Sequence, residues 1–337
     1  MTEPIHSLRP PAVFGLLSLA LGLLFLLGLM AGSRWVSPGA LATVLAGTSD
    51  LLTTITVTEL RLPRNLIGLL GGAALGLAGA VMQGVTRNQL ASPGLTGVIA
   101  SAALATVAMR TFGTPNALWL PMIALAGGLV GGALTFAVAG HRQMRPDRVV
   151  LAGIAVTSMA TALTTAILLV SGSEAAELYH WLAGSLMGRG WHQLHMLAPW
   201  LLLPLLILLA MPRPFRLLQL DDELALAMGL SVARWRAIFM ILALVLTASL
   251  VAFTGPIVFI GLVAPHIARR LLADQPQYWL PLSALLGGLL LLAADILARQ
   301  LALPQELPVG MLTALIGAPW LIYLLNSRNP YRSTGRD

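Results

Sequence analysis

An acid and a base four residues apart, Asp295 and Arg299, fall in one apolar run near the end of the chain. That spacing stacks them on one helix face. They read as a local ion pair near a helix end or, alternatively, as a proton site, since ionisable groups inside a membrane often mark ion pathways. His180, His192 and His195 lie near Glu174 and Glu177. They would make a metal site only if the fold converged them; otherwise the stretch 172–192 is an interfacial loop anchored by Tyr179, Trp181 and Trp191. His266, beside Pro265, reads as a packing or helix-end residue. No HExxH, no paired carboxylates and no supported serine–histidine set appear, so an intramembrane enzyme is disfavoured.

Two residue types are missing. The chain has no cysteine, which excludes disulfides, iron–sulfur clusters and thiolate chemistry. All twenty Lys+Arg residues are arginine. A GxxxxGK[ST] phosphate loop needs its lysine, so if ATP is used another chain binds it.

The elements that carry these residues are membrane spans. The 337 residues are 57% hydrophobic and 10% charged, with a mean hydropathy of +0.85. A soluble domain carries roughly a quarter charged residues. Apolar runs fall at about 12–32, 64–83, 92–110, 117–140, 149–171, 193–211, 235–254, 256–272, 279–298 and 307–326. Each is near the roughly 20 residues that cross a bilayer as helix, and none alternates as a barrel strand would. The expectation is an all-α polytopic protein of about ten transmembrane helices, one domain over 1–337. The first run is longer than a signal-peptide core and reads as a retained span.

Arginine placement sets the orientation. With both termini cytoplasmic, six arginines lie outside (Arg34, Arg61, Arg64, Arg110, Arg189 and Arg299) and the other fourteen inside. The net charge of +7 is then a topology signal and implies no nucleic acid. Gly68, Gly72, Gly76, Ala80 and Gly84 recur every four residues, as do Gly127 and Gly131. Small residues at that spacing let helix backbones approach closely, whether for static packing or for sliding.

The cytoplasmic loop 212–234 carries the clearest docking signal. Asp221, Asp222 and Glu223 sit where a helix N-terminus would welcome negative charge. Leu224, Ala227 and Met228 follow at helical spacing, and Gly229 ends the helix. A short helix with an apolar strip outside the membrane either invites a protein partner, the favoured reading, or packs back on its own bundle.

Several longer motifs run in order along the chain: RLPR at 61–64, GAVMQ at 79–83, RNQLASPG at 87–94, WLAGSL at 181–186, GPIVFIGLVAPH at 255–266, ADILAR at 294–299 and ELPVG at 306–310. Together they resemble the FecCD-type permeases, membrane subunits of ABC importers for ferric siderophores, haem and cobalamin. The resemblance covers about residues 30–326. It implies a type II importer permease: two ten-span subunits, identical or paralogous, over an ATP-binding cassette ATPase dimer that holds ATP and magnesium, with a periplasmic substrate-binding protein above. The chain itself would hold no cofactor and no metal. The resemblance places Arg61, Arg64 and Arg299 as outer cations that receive the binding protein's carboxylates. It makes Leu220 to Gly229 the coupling helix, with Leu220, Asp221, Asp222 and Glu223 opening it and Ala225 and Gly229 at its small-residue positions. Asn88, Gln89 and Leu90 align with a cytoplasmic gate loop, although the family usually has proline where Gln89 stands. The stretches 181–191 and 314–320 look like the ferric-chelate branch. An ion-coupled secondary transporter is the competing class, and the nearly charge-free membrane interior argues against it.

Overall fold

The computed structural model describes residues 10–113, 118–139, 146–172, 175–272, 276–303 and 305–327. Both termini, and with them Arg9, Arg142, Arg145, Glu174, Arg328, Arg332 and Arg336, lie outside the described residues. The helices in chain order are α1 (Pro10–Met30), α2 (Pro38–Leu45), α3 (Leu51–Ile55), a π-helical turn (Thr56–Arg61), α4 (Leu62–Val85), α5 (Val98–Phe112), α6 (Leu120–Ala139), α7 (Pro146–Val170), α8 (Ala175–Leu182), α9 (Trp191–Ala210), α10 (Pro212–Leu217), α11 (Asp222–Ala227), α12 (Val232–Thr254), α13 (Ile260–Leu272), α14 (Pro276–Gln300) and α15 (Val309–Ser327). Each of the ten apolar runs is a helix, and among the described residues seven helices are long and apolar enough to cross a membrane. Two of the rest are short. α5, with 15 residues, spans about 22 Å, and α13, with 13, about 20 Å, against a hydrocarbon core of roughly 30 Å.

Helix α4 is the axis of the bundle. Its 24 residues extend about 36 Å, and α9, α12, α13 and α14 pack round it. α14 runs antiparallel to α4: Gly72 meets Gly287 backbone to backbone, and Gly76 meets Ser283 and Gly287. Gly79 packs on Gly261 of α13 in the same way. The four-residue glycine spacing thus serves close helix packing. Large apolar side chains instead point away from the bundle on α1 (Leu16, Leu19, Leu23), α7 (Leu151, Ile154) and α9 (Leu203, Leu206), as expected where lipid is the solvent.

The connecting segments hold more helix than their composition indicates. The 172–192 stretch contains α8, and 212–234 contains α10 and α11. Phe215 of α10 lies 5.2 Å from Phe239 of α12 and 5.7 Å from Trp279 of α14, ring centre to ring centre. All three rings are fully buried. Such aromatic contacts add about 0.5–1.5 kcal/mol each beyond area burial, so α10 is bound firmly to the bundle.

Candidate functional site

Two ionic clusters mark opposite ends of α4. At its start, Arg61, Arg64, Asn65, Asp295, Arg299 and Glu306 converge. Asp295 is fully buried and accepts from both Arg64 and Arg299. Arg64 also donates to Glu306 at 2.7 Å, and Arg299 donates to Asn65 at 2.8 Å and to the Gly28 carbonyl at 3.0 Å. Arg61 donates to the carbonyls of Leu29 and Met30, at 2.9 and 2.7 Å, and to that of Arg34. The Asp295–Arg299 pair read from spacing is present, and Arg64 joins it from 231 residues away. Arg61, Arg64 and Arg299, the outer cations of the sequence reading, thus stand together in one cluster. Each is more than nine-tenths buried, because a charge at a helix end in an apolar bundle must be paired or hydrogen-bonded locally. They line the floor of a cleft of about 280 Å3, whose rim includes Glu59 and Arg189.

The second cluster lies past the other end of α4. Arg87, in a turn with φ of 50°, donates to Asp222 at 2.7 Å and to the carbonyls of Leu218 and Leu220. Arg236 of α12 grips the same carboxylate at 2.9 and 2.7 Å. Hydrogen bonding from Arg236, opposed by a smaller cost of burial, followed by the charge of Arg236 and then the contact with Arg87, holds the Asp222 carboxyl below its ordinary value. Asp222 therefore anchors α11 to the bundle. Next to Arg87, Asn88 Oδ1 accepts from the Leu90 N–H at 3.0 Å, an Asx-turn that restrains the Asn88–Gln89–Leu90 loop without a proline. Arg87, Asn88, Leu90 and Arg236 border a largely apolar cavity of about 410 Å3.

On α11, Leu224, Leu226 and Met228 are more than half exposed. Asp221 and Glu223 are exposed as well. Gly229, with φ of 81°, closes the helix in open space. Ala225 is wholly buried and belongs to the main hydrophobic core, and its carbonyl accepts from the Leu230 N–H at 3.0 Å. A helix of six residues offers too few positions for its periodicity to reveal which side turns inward.

Between the two ends, three of the sequence motifs meet at their backbones. The Ser185 N–H donates to the Thr254 carbonyl at 2.8 Å, and the Gly310 N–H to the Gly184 carbonyl at 2.9 Å. Gly184 and Gly255 have φ of 75° and 72°, and a Cβ on either would overlap a neighbouring carbonyl, so only glycine fits. Irregular backbone at membrane depth persists where it is buried in protein or lines a cavity. Here Ala183, Pro256 and Gly310 border a cavity of about 650 Å3, together with Thr157, Thr161, Thr164 and Thr165 of α7. Three of those threonines donate to the carbonyl four residues back, leaving a mildly polar, uncharged wall.

Among the described residues the histidines do not assemble a site. Trp191 stacks on His195 at 5.9 Å, His266 packs edge-on against Trp320, and among the described residues no three metal-ligating side chains converge.

Residues 20–327 match the FecCD transport family. The chain belongs to that family. The Fe(3+)-citrate import system permease protein YfmE of Bacillus subtilis (strain 168) is 38% identical over 94% of this chain and 95% of its own length. The Fe(3+) dicitrate transport system permease protein FecD of Escherichia coli (strain K12) is 42% identical over 79% and 84%. An inward-facing chain assigned to the metal-chelate type of ABC transporter superposes with a TM-score of 0.81 at 30% identity, covering 95% of this chain and all of that one. This FecCD protein is thus a membrane transport subunit of an ABC importer. Hydrolysis of ATP falls to a partner chain, in keeping with the absence of lysine.

Proposed function

We propose that this FecCD protein carries a ferric siderophore or related iron chelate from periplasm to cytoplasm across the bacterial inner membrane by alternating access. The observation that carries the reading is α11. It shows an apolar strip to solvent while Asp222 ties it to the turn after α4, so a force on the strip reaches the loop bordering the cavity. In this reading the whole chain 1–337 is one permease unit, and 212–234 is its coupling loop. Leu220, Asp221, Asp222, Glu223 and Gly229 frame the surface seated on an ATPase dimer that holds ATP and magnesium. Both termini lie in the cytoplasm. Asn88, Gln89 and Leu90 form the cytoplasmic gate. The cleft floored by Arg61, Arg64 and Arg299 faces the periplasm and receives the substrate-binding protein. The threonine-lined wall is half of the pathway, and a second permease subunit, identical or paralogous, completes it. The iron-citrate relatives support a ferric chelate as cargo.

The test is uptake of radiolabelled ferric citrate into proteoliposomes holding the assembled transporter and its loaded binding protein. Uptake requiring ATP is expected. Uptake of cobalamin or haem in its place would correct the cargo, and uptake driven by a proton gradient without ATP would overturn the mechanism.

A further inference from the structure

The cavity of about 410 Å3 beyond the Arg87 end of α4 shares no lining residue with the threonine-walled one. Phe136 of α6, Val150 of α7, Ala237 and Met240 of α12, and Leu95 in the segment before α5 form its apolar wall. That wall runs on into the outer surface of the bundle. Leu134 and Val138 flank Phe136 and are exposed. Ala237 is exposed as well, and so is Ile241, which lies one turn further along the same face of α12. Apolar side chains turned outward on membrane helices meet lipid, so the cavity is continuous with the lipid-facing surface.

Its polar margin is cationic. Arg87 and Arg236 both border the cavity, and Asp222 is the carboxylate they share. Arg236 gives Asp222 its two terminal nitrogens, at 2.9 and 2.7 Å, while its buried Nε has no acceptor among the described residues. A guanidinium carries five N–H donors in a planar fork, so Arg236 keeps donors to spare. Asp221 comes no nearer to Arg87 than 4.0 Å, with its side chain almost wholly in solvent, where such a pair adds little. Arg148 precedes the lining residue Val149, Arg234 lies two residues before Arg236, and both are exposed. Four arginines thus lie on or next to the cavity wall, against Asp221, Asp222 and Glu223 at the start of α11. The volume falls within the roughly 300–1,000 Å3 of small-ligand sites. Basic pockets between membrane helices suit anionic lipid headgroups, and a free phosphate would leave the apolar wall unused.

We propose that this cavity holds one anionic phospholipid of the cytoplasmic leaflet, its phosphate on Arg236 and an acyl chain between α6, α7 and α12. Leu90 also borders the cavity, so the lipid packs beside the Asn88–Leu90 loop. The choice of leaflet rests on the orientation in the importer reading above; the site itself rests on the cavity and its arginines.

The experiment is native mass spectrometry of the complete transporter released from nanodiscs of mixed phosphatidylglycerol and phosphatidylcholine, counting the lipid retained by each permease. The native chain should retain phosphatidylglycerol in preference to phosphatidylcholine. A237F fills the cavity from α12 and should lose that lipid. V138F adds a phenyl ring on the exposed face outside the cavity and should keep it. R236Q should bind about fivefold more weakly, the loss expected from about 1 kcal/mol per arginine near a membrane surface. ATPase subunits should remain bound to A237F, which separates a filled site from misfolding. Equal retention of the two lipids by the native chain, or native-level retention in A237F, would overturn the proposal while leaving the importer reading intact. Because the chain has no cysteine, S231C, at the exposed residue before α12, reports the leaflet. Labelling by an impermeant maleimide from the cytoplasmic face supports it. Labelling from the periplasmic face alone would overturn the leaflet together with the orientation in the importer reading.

Discussion

Arg87, in the turn after α4, and Asp222, in the first turn of α11, are joined at 2.7 Å across 135 residues. Arg236 holds the other side of the same carboxylate. The Asn88–Leu90 loop and α11, the proposed gate and the proposed ATPase-facing helix, therefore share one anchor. An ion pair this exposed adds only about 0–1 kcal/mol to stability, so its value is positional. In D222N, the melting temperature of the purified subunit should move by no more than a few degrees. ATPase stimulation by the loaded binding protein should fall about tenfold, the loss expected when roughly 1.4 kcal/mol of coupling disappears. Stimulated hydrolysis at the native level in D222N would show that the anchor transmits nothing.

The same anchor predicts a pH response by its sign. A carboxyl held below its ordinary value contributes stability that is fully present above the unfolded value and is lost as pH falls through the folded one. For Asp222 the unfolded value is 3.8 and the folded one lies lower. Stimulated ATPase should thus carry no Asp222-dependent step between about pH 5 and 8. Native and D222N pH profiles compared over that range should have the same shape. A titration near neutrality that vanishes in D222N would contradict this.

Asp295 is the reverse case, a buried carboxylate that serves two buried guanidiniums. Removing one member of a buried ionic set costs about 3–5 kcal/mol, because the remaining charges stay desolvated. D295N should lower thermal stability in detergent steeply, more than E306Q, whose side chain is only partly buried. Near-native melting of D295N would mean that the cluster is wetter than its burial indicates.

Gly255 and Gly15 offer a matched contrast. A Cβ at Gly255 would press on the Trp181 carbonyl in a left-handed backbone, whereas at Gly15 it meets nothing within 4 Å. G255A should destabilise by about 1–3 kcal/mol, and G15A should be neutral or stabilising by about 0.4–1 kcal/mol. Chemical denaturation in detergent separates the two, and equal effects would mean that the meeting of the three backbone segments at Gly255 is not tightly packed.

Much of this architecture is legible in the residues. Every apolar run is a helix, because a backbone in lipid must satisfy its own hydrogen bonds. The glycine ladder of α4 announces close helix packing, and Asp295–Arg299 announces itself by i,i+4 spacing. Long-range partners are not legible. Nothing near Arg64 points to Asp295, and nothing near Arg87 points to Asp222, since such pairs arise only when distant helices pack. The π-helical turn at Thr56–Arg61 and the inward face of Ala225 are also invisible to periodicity, each spanning fewer residues than two full helical turns. Nor does composition reveal which arginines are already engaged by carbonyls and carboxylates, as Arg61, Arg64 and Arg299 are.

Native mass spectrometry of the gently purified complex tells whether α11 seats the ATPase. For the native chain the expected spectrum holds two ATPase subunits on two permease subunits. For a chain carrying both L224D and M228D, the expected spectrum is an intact permease without ATPase, since those exposed side chains carry little of the bundle's own packing. ATPase retained on the doubly substituted chain would contradict the account.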